Sequence, residues 1–330
     1  MADYINIYGQ DILAVASDPA NPTVGQIWYN TTSNTLKGLG VSTAGAWATG
    51  NNLNTARLGL GGAGTQTAGL AFGGYTVPPA ATGSTAVTEE YDGNSWTNSN
   101  PMNTARNALG TAGIQTAALG FGGNTPPTFT AVTEEYDGNS WANSNNLITA
   151  RRYVAGCGTQ TAGLAFGGLT TTQVGTTEEY DGISWSSNPT GLNTVRNSLA
   201  GCGTQTAGLA FGGSLLTAAT EEYDGSTWTS NPTGLNTARY SLAGCGIQTA
   251  ALAFGGYDPV DAVSAVTEEY DGSTWTSNPT GLNTARASLA GCGTQTAGLA
   301  LGGESATALT GATEEWLGAG SPQTKTITAS

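Results

Sequence analysis

Short segments of alternating apolar and small residues recur along the chain, each bounded by Gly, Thr, Asn or Asp. In the segment 162–166, Ala162, Leu164 and Phe166 share one face, and Gly163 and Ala165 share the other. Both faces are apolar or small, which predicts a strand covered on both sides. Residues 153–158 predict a shorter strand before it, with Thr159-Gln160-Thr161 as the turn. After Gly167-Gly168 and a loop, residues 176–180 predict a third strand. Asp181-Gly182 opens a tight hairpin turn, and residues 184–187 around Trp185 predict a fourth strand. No stretch sustains a helical period, so the reading is all-β.

Six units share this pattern. Each begins at an arginine: Arg57, Arg106, Arg151, Arg196, Arg239 and Arg286, 43 to 49 residues apart. A Gly-Gly pair follows, starting at Gly73, Gly122, Gly167, Gly212, Gly255 and Gly302. A Glu-Glu pair comes next, starting at Glu89, Glu134, Glu178, Glu221, Glu268 and Glu314. An aromatic follows the pair: Tyr91, Tyr136, Tyr180, Tyr223, Tyr270 or Trp316. Five units then run Asp-Gly-x-x-Trp, ending at Trp96, Trp141, Trp185, Trp228 and Trp275, and the sixth has no such tryptophan. Trp47 lies 10 residues before Arg57, just as Trp96 lies 10 before Arg106, so Trp47 is the missing one. The strand around Trp47 is expected to complete the last unit and close the array without an open edge.

A Gly-Gly after the second strand, an aromatic-Asp-Gly, a Trp and then an Arg resemble the kelch repeat, whose period is ~50 residues. The resemblance implies a six-bladed kelch-like β-propeller with four-stranded blades over residues 43–318. Residues 1–42 are expected to be an N-terminal anchoring segment with a short β-hairpin, and 319–330 a C-terminal tail. Trp-Asp propellers carry a Gly-His signature, and this chain has no histidine. Sialidase-type Asp boxes space Asp, Gly and Trp differently from Asp271-Gly272-Ser273-Thr274-Trp275. Residues 21–37, with Ile27-Trp28-Tyr29-Asn30 at their centre, resemble a short hairpin of bacteriophage structural and fibre proteins. The near-identical Gly/Thr/Asn-rich repeats also resemble those of phage-encoded virion proteins.

Composition narrows the function classes. With 9 basic and 23 acidic residues the formal net charge is −14, which disfavours nucleic acid and anionic membrane surfaces. The start Met1-Ala2-Asp3-Tyr4-Ile5 does not read as a signal peptide. No window approaches the ~20 apolar residues of a membrane helix. Without histidine the commonest general base and metal ligand is missing, and a copper oxidase on a kelch scaffold needs it. Glycosidases need one special carboxylate pair, whereas these carboxylates come as a repeated set. The Gly-rich segments lack the Lys of a phosphate loop. Catalysis is therefore not expected, and neither is a cofactor or a metal.

Four sets of residues are candidates for structure or binding. In the third strand Glu134 shares a face with Val132 and Tyr136, so the first Glu of each pair is expected inside, paired with a repeat Arg. The alternative is a charged ring that binds a ligand. The cysteines, Cys157, Cys202, Cys245 and Cys292, all fall six residues after that Arg, where Ala63 and Ala112 stand in the first two units. They are expected to be buried free thiols, because they lie one per unit without a Cys-x-x-Cys pair. The glutamines Gln66, Gln115, Gln160, Gln205, Gln248 and Gln295 occupy the first turn of every unit. They read either as turn hydrogen bonds or as a polar ring for a sugar or ion. The loops 75–86, 124–130, 169–175, 214–218, 257–265 and 304–311 differ most between units. Specificity is expected there, with Tyr75, Phe129, Tyr257, Asp258 and Asp261 as the distinctive members and the two aspartates as a weak Ca²⁺ candidate.

The resemblances imply a virion structural or adhesion protein, a tail fibre or decoration protein. Residues 1–42 would join other virion proteins or sister subunits, and the loops would meet a host-surface glycan or protein. The alternative is an intracellular kelch-type adaptor, which is expected to carry a partner domain such as a helical dimerisation module. No stretch here reads as one.

Overall fold

The computed structural model describes residues 12–42, 44–76, 83–320 and 322–327. Residues 1–11 and 43, 77–82 of the first variable loop, and 321 and 328–330 of the expected tail lie outside the described residues. The chain forms two compact units, Ala46–Leu317 and a smaller one made of Met1–Gly45 with Gly318–Ser330. Among the described residues the fold is all-β, without a helix.

The larger unit holds six four-stranded antiparallel sheets. In the third, Ala155–Thr159, Ala162–Phe166, Thr177–Tyr180 and Trp185–Asn188 pair in sequence order. The second strand is covered on both faces: Leu164, Ala165 and Phe166 are fully buried. Trp185 pairs with Tyr180 across a four-residue loop rather than a two-residue turn. Asp181 Oδ1 holds that loop by accepting backbone N–H bonds from Ile183 (2.9 Å) and Ser184 (2.7 Å). The first strand begins at Ala155, later than the expected 153. Tyr153 instead adopts a left-handed backbone, φ 51°.

The sixth sheet is composite. Ala290–Gly293, Ala297–Leu301 and Thr313–Leu317 are followed by Ala46–Thr49, which pairs antiparallel with Thr313–Leu317 and sets Trp47 opposite Trp316. The first strand of each sheet packs on that of the next, and Ala290–Gly293 packs on Gly61–Thr65 of the first sheet. The arrangement of the sheets is propeller-like.

Packing between sheets repeats. Phe166 of the third sheet meets Trp228 of the fourth with ring centroids 4.9 Å apart. Such a pair contributes roughly 0.5–1.5 kcal/mol beyond its buried area. The indole N–H of Trp228 donates to Thr177 Oγ1 of the third sheet at 2.9 Å. All six tryptophans of this set make that bond to the preceding sheet at 2.9 Å.

In the smaller unit Ile27–Asn30 and Thr35–Val41 form an antiparallel hairpin, with Leu13–Val15 added in parallel. The expected tail is a strand in part: Pro322–Thr326 pairs with Thr35–Val41. Asp18 ties the hairpin together, accepting from Trp28 Nε1 (3.0 Å), Asn30 Nδ2 (2.7 Å) and Lys37 Nζ (2.7 Å). These donors, the Lys37 ammonium first, hold its carboxyl down at about 2.

Candidate functional site

The structure pairs every repeat Arg with the first Glu of its own unit, fully buried. Arg57–Glu89, Arg106–Glu134, Arg196–Glu221 and Arg239–Glu268 lie at 3.2, 3.3, 2.6 and 2.9 Å. Arg151 and Glu178, and Arg286 and Glu314, are in direct contact. Each carboxylate also accepts two backbone N–H bonds from the segment entering the first strand. Glu134, for example, accepts from Asn103 (2.6 Å) and Thr104 (3.2 Å). These bonds offset the desolvation that a buried pair must overcome. Burial still pushes the Arg57 and Arg106 guanidinium groups down to about 10. Glu89, Glu134, Glu178, Glu221, Glu268 and Glu314 are thus engaged inside their own sheets.

The second Glu of each pair serves the joint between sheets, a role the sequence reading missed. Tyr91 donates its hydroxyl to Glu315 at 2.5 Å. Tyr136, Tyr180, Tyr223 and Tyr270 donate in the same way to Glu90, Glu135, Glu179 and Glu222 of the preceding sheet. The fixed Glu-Glu-Tyr triplet was the available signal. Its one exception falls at the composite sheet, where Trp316 donates instead to Gln295 O at 2.8 Å and Asn278 Nδ2 holds Glu269 at 2.7 Å.

The glutamines bond neither to their own turns nor to an open ring. Gln160 Nε2 donates to Ala118 O (3.1 Å) and Tyr136 O (2.7 Å) of the preceding sheet. Gln66, Gln115, Gln205, Gln248 and Gln295 make the equivalent two bonds. Both amide hydrogens are committed, so this set clamps sheet to sheet.

The four thiols are free and buried, one in the first strand of each of the last four sheets. They lie beside a cavity of about 170 Å³ lined by all six first strands. Each Sγ donates to a carbonyl of the following sheet, as Cys157 does to Thr204 O at 3.5 Å. Burial pushes Cys157 and Cys292 up to about 12. Among the described residues no group of three or more His, Cys, Asp or Glu is placed to hold a metal ion. Asp258 Oδ1 caps its own loop through the Val260 and Ala262 N–H groups, both at 3.0 Å. Asp261 accepts from Tyr240 Oη at 3.1 Å.

At the opposite end of the first strands the structure brings together residues that differ between units. Two residues after each repeat Arg stand Gly59, Ala108, Tyr153, Ser198, Ser241 and Ser288, all left-handed with φ between 51° and 58°. Their peptide groups form a continuous ring. Ala108 N donates to Gly59 O (2.7 Å), Tyr153 N to Ala108 O (2.8 Å) and Ser198 N to Tyr153 O (3.2 Å). Ser241 N donates to Ser198 O (2.8 Å), Ser288 N to Ser241 O (2.8 Å) and Gly59 N to Ser288 O (2.7 Å). A left-handed conformation costs a non-glycine residue about 1–2 kcal/mol, and the six bonds hold five such residues in it.

This ring rims a cavity of about 230 Å³. Six aliphatic side chains line it: Leu60, Leu109, Val154, Leu199, Leu242 and Leu289. Its lining also includes Tyr153, Ser198, Ser241, Ser288 and Glu304. The variable loops join it through short bridges, Tyr75 to Leu58, Tyr257 to Tyr240 and Glu304 to Ala287. The Arg152 guanidinium lies 4.8 Å from the centroid of the Phe129 ring and 5.1 Å from that of Tyr153. Tyr257 stacks on Tyr240 with centroids 5.1 Å apart. Tyr75, Phe129, Tyr257 and Asp261 thus belong to one end of the sheets, together with Arg152, Tyr153, Tyr240 and Glu304, which the sequence reading passed over. The signal was present: the two positions after each Arg vary while their neighbours hardly do.

Among the described residues no helix is long and apolar enough to cross a membrane. Compared with known proteins, the chain matches no protein-family model and no curated protein sequence.

Proposed function

We propose that this chain is a non-enzymatic virion structural and adhesion protein, built on a six-bladed, kelch-like β-propeller that Trp47 and its strand close into a ring. Residues 1–42 attach it to the particle. The cavity mouth and its loops meet a glycan or protein on the host surface. One observation carries this reading: the repeated Arg, Glu, Gln and Trp side chains are engaged within and between the sheets, whereas the residues that differ between units gather around one mouth. A fixed scaffold with variation confined to one end suits recognition. The cyclic series of Trp–Thr bonds, which includes Trp47, supports the ring.

The test has two arms. The protein is expected to co-sediment with purified particles, and its absence from them overturns the virion assignment. On glycan and host-surface protein arrays, binding is expected to fall in Arg152→Ala and Tyr257→Ala. Unchanged binding in both variants overturns the assignment of the loop end.

A further inference from the structure

We infer that the cavity mouth binds a primary ammonium group carried on an alkyl stem, with Glu304 as its counter-ion. This deepens the reading of the loop end as the binding surface and rests on it.

Glu304 stands two residues after Gly302, where the other units place Tyr75, Asn124, Leu169, Ser214 and Tyr257. Among the described residues it is the one carboxylate lining the cavity. Its side-chain neighbours are neutral: Ser288 Oγ donates to Glu304 Oε1 at 3.2 Å, and the Tyr257 phenol lies beside the same carboxylate. Among the described residues every ion pair belongs to Lys37 or to one of the six repeat arginines, and none reaches Glu304. Arg152, the remaining arginine, is held on the aromatic rings of Phe129 and Tyr153 in another unit. A half-buried carboxylate without a counter-ion favours a cation beside it.

The rest of the cavity selects which cation. Ser198 and Ser241 line the same cavity, so an ammonium finds neutral hydroxyl residues there besides the carboxylate. The aliphatic lining favours an apolar stem over a hydrated metal ion. At about 230 Å³ the cavity is smaller than the roughly 300–1,000 Å³ of pockets for drug-sized ligands, which suits one side chain or a small amine. The net charge of −14 draws cations toward the surface. The strained backbone ring around the cavity is a feature that clusters at ligand sites.

The experiment is calorimetric titration of the full chain with n-butylammonium chloride, with n-butanol as the neutral control. Saturable binding of the amine alone is expected, weakening with added salt. Glu304→Gln is expected to weaken it about tenfold or more, the scale of one charge-assisted hydrogen bond. Ser241→Tyr, which places in the mouth an aromatic that the same backbone conformation already carries at Tyr153, is expected to abolish it. Thermal melts of both variants check that they fold. Nα-acetyl-lysine methylamide and spermidine, titrated in parallel, distinguish a protein lysine from a free polyamine as the source. No saturable binding of any amine, equal binding of n-butanol, or unchanged binding in Glu304→Gln overturns the inference. The array experiment separates the two readings: array binding that survives without amine binding leaves the loop-end assignment standing and removes only the ammonium site.

Discussion

Trp47 donates its indole N–H to Thr267 Oγ1 at 2.9 Å, across a sequence separation of 220 residues. It packs on Phe254 with centroids 4.8 Å apart, as Trp228 packs on Phe166. The N-terminal strand therefore bonds and packs as the internal fourth strands do. Replacing a buried aromatic by alanine costs about 3–5 kcal/mol. Trp47→Ala is expected to lower the urea midpoint by that stability, and Trp47→Phe by about 1 kcal/mol for the lost hydrogen bond. An unchanged midpoint in Trp47→Ala would mean that this strand adds nothing to the sixth sheet.

The Arg106–Glu134 pair gives a second expectation. Glu134→Gln leaves Arg106 buried without its counter-charge, and breaking such a pair costs about 3–5 kcal/mol. Arg106→Met with Glu134→Gln removes both charges together. The double variant is expected to lose less stability than the sum of the single ones, by about 0.5–3 kcal/mol, the usual coupling of residues in contact. Additive losses in a double-mutant cycle would show that the pair is not coupled.

Several of these relationships were legible in the chain itself. The equal spacing from Trp47 to Arg57 and from Trp96 to Arg106 pointed to the composite sheet, and the alternation around Glu134 pointed to a buried first Glu. Other features depend on contacts between units, which one unit read alone does not contain. Glu135 looks solvent-facing until the next sheet brings Tyr180 to it. Tyr153 continues an apolar run and reads as strand, yet the peptide ring through Ala108 and Ser198 holds it left-handed. Glu304 went unnoticed because its equivalents are Tyr, Asn, Leu and Ser, so no repeated carboxylate marks the position.

The inter-sheet tyrosines predict an alkaline limit. Burial first, then the bond to a carboxylate, pushes Tyr136 and Tyr180 up to about 12. A raised folded-state value means that the neutral phenol is favoured in the fold. Its stabilising contribution is complete below the unfolded value of about 10 and disappears as pH rises toward 12. Tyr180→Phe is therefore expected to be less stable than the parent at pH 7, by about 1 kcal/mol or more. That difference is expected to shrink between pH 10 and 12. Denaturant titrations at several pH values check this, and a pH-independent difference would contradict the bond to Glu135.

Adjacent positions in one first strand are expected to tolerate change in opposite ways. Cys202 donates to Ile247 O at 3.9 Å, a weak bond, and Ala63 and Ala112 already fill its place in other units. Cys202→Ala is expected to cost within about 1 kcal/mol, the scale of a tolerated core swap. At Gly201 an added Cβ would strike the Phe166 ring, which is fully buried and pressed against Trp228, and it would also crowd Leu209 O at 3.3 Å. Phe166 has nowhere to move, so Gly201→Ala is expected to cost about 1–3 kcal/mol or more by overpacking. Paired urea titrations of the two variants compare them directly. Equal losses would show that the first strands are not held as closely as the Gly201–Phe166 contact requires.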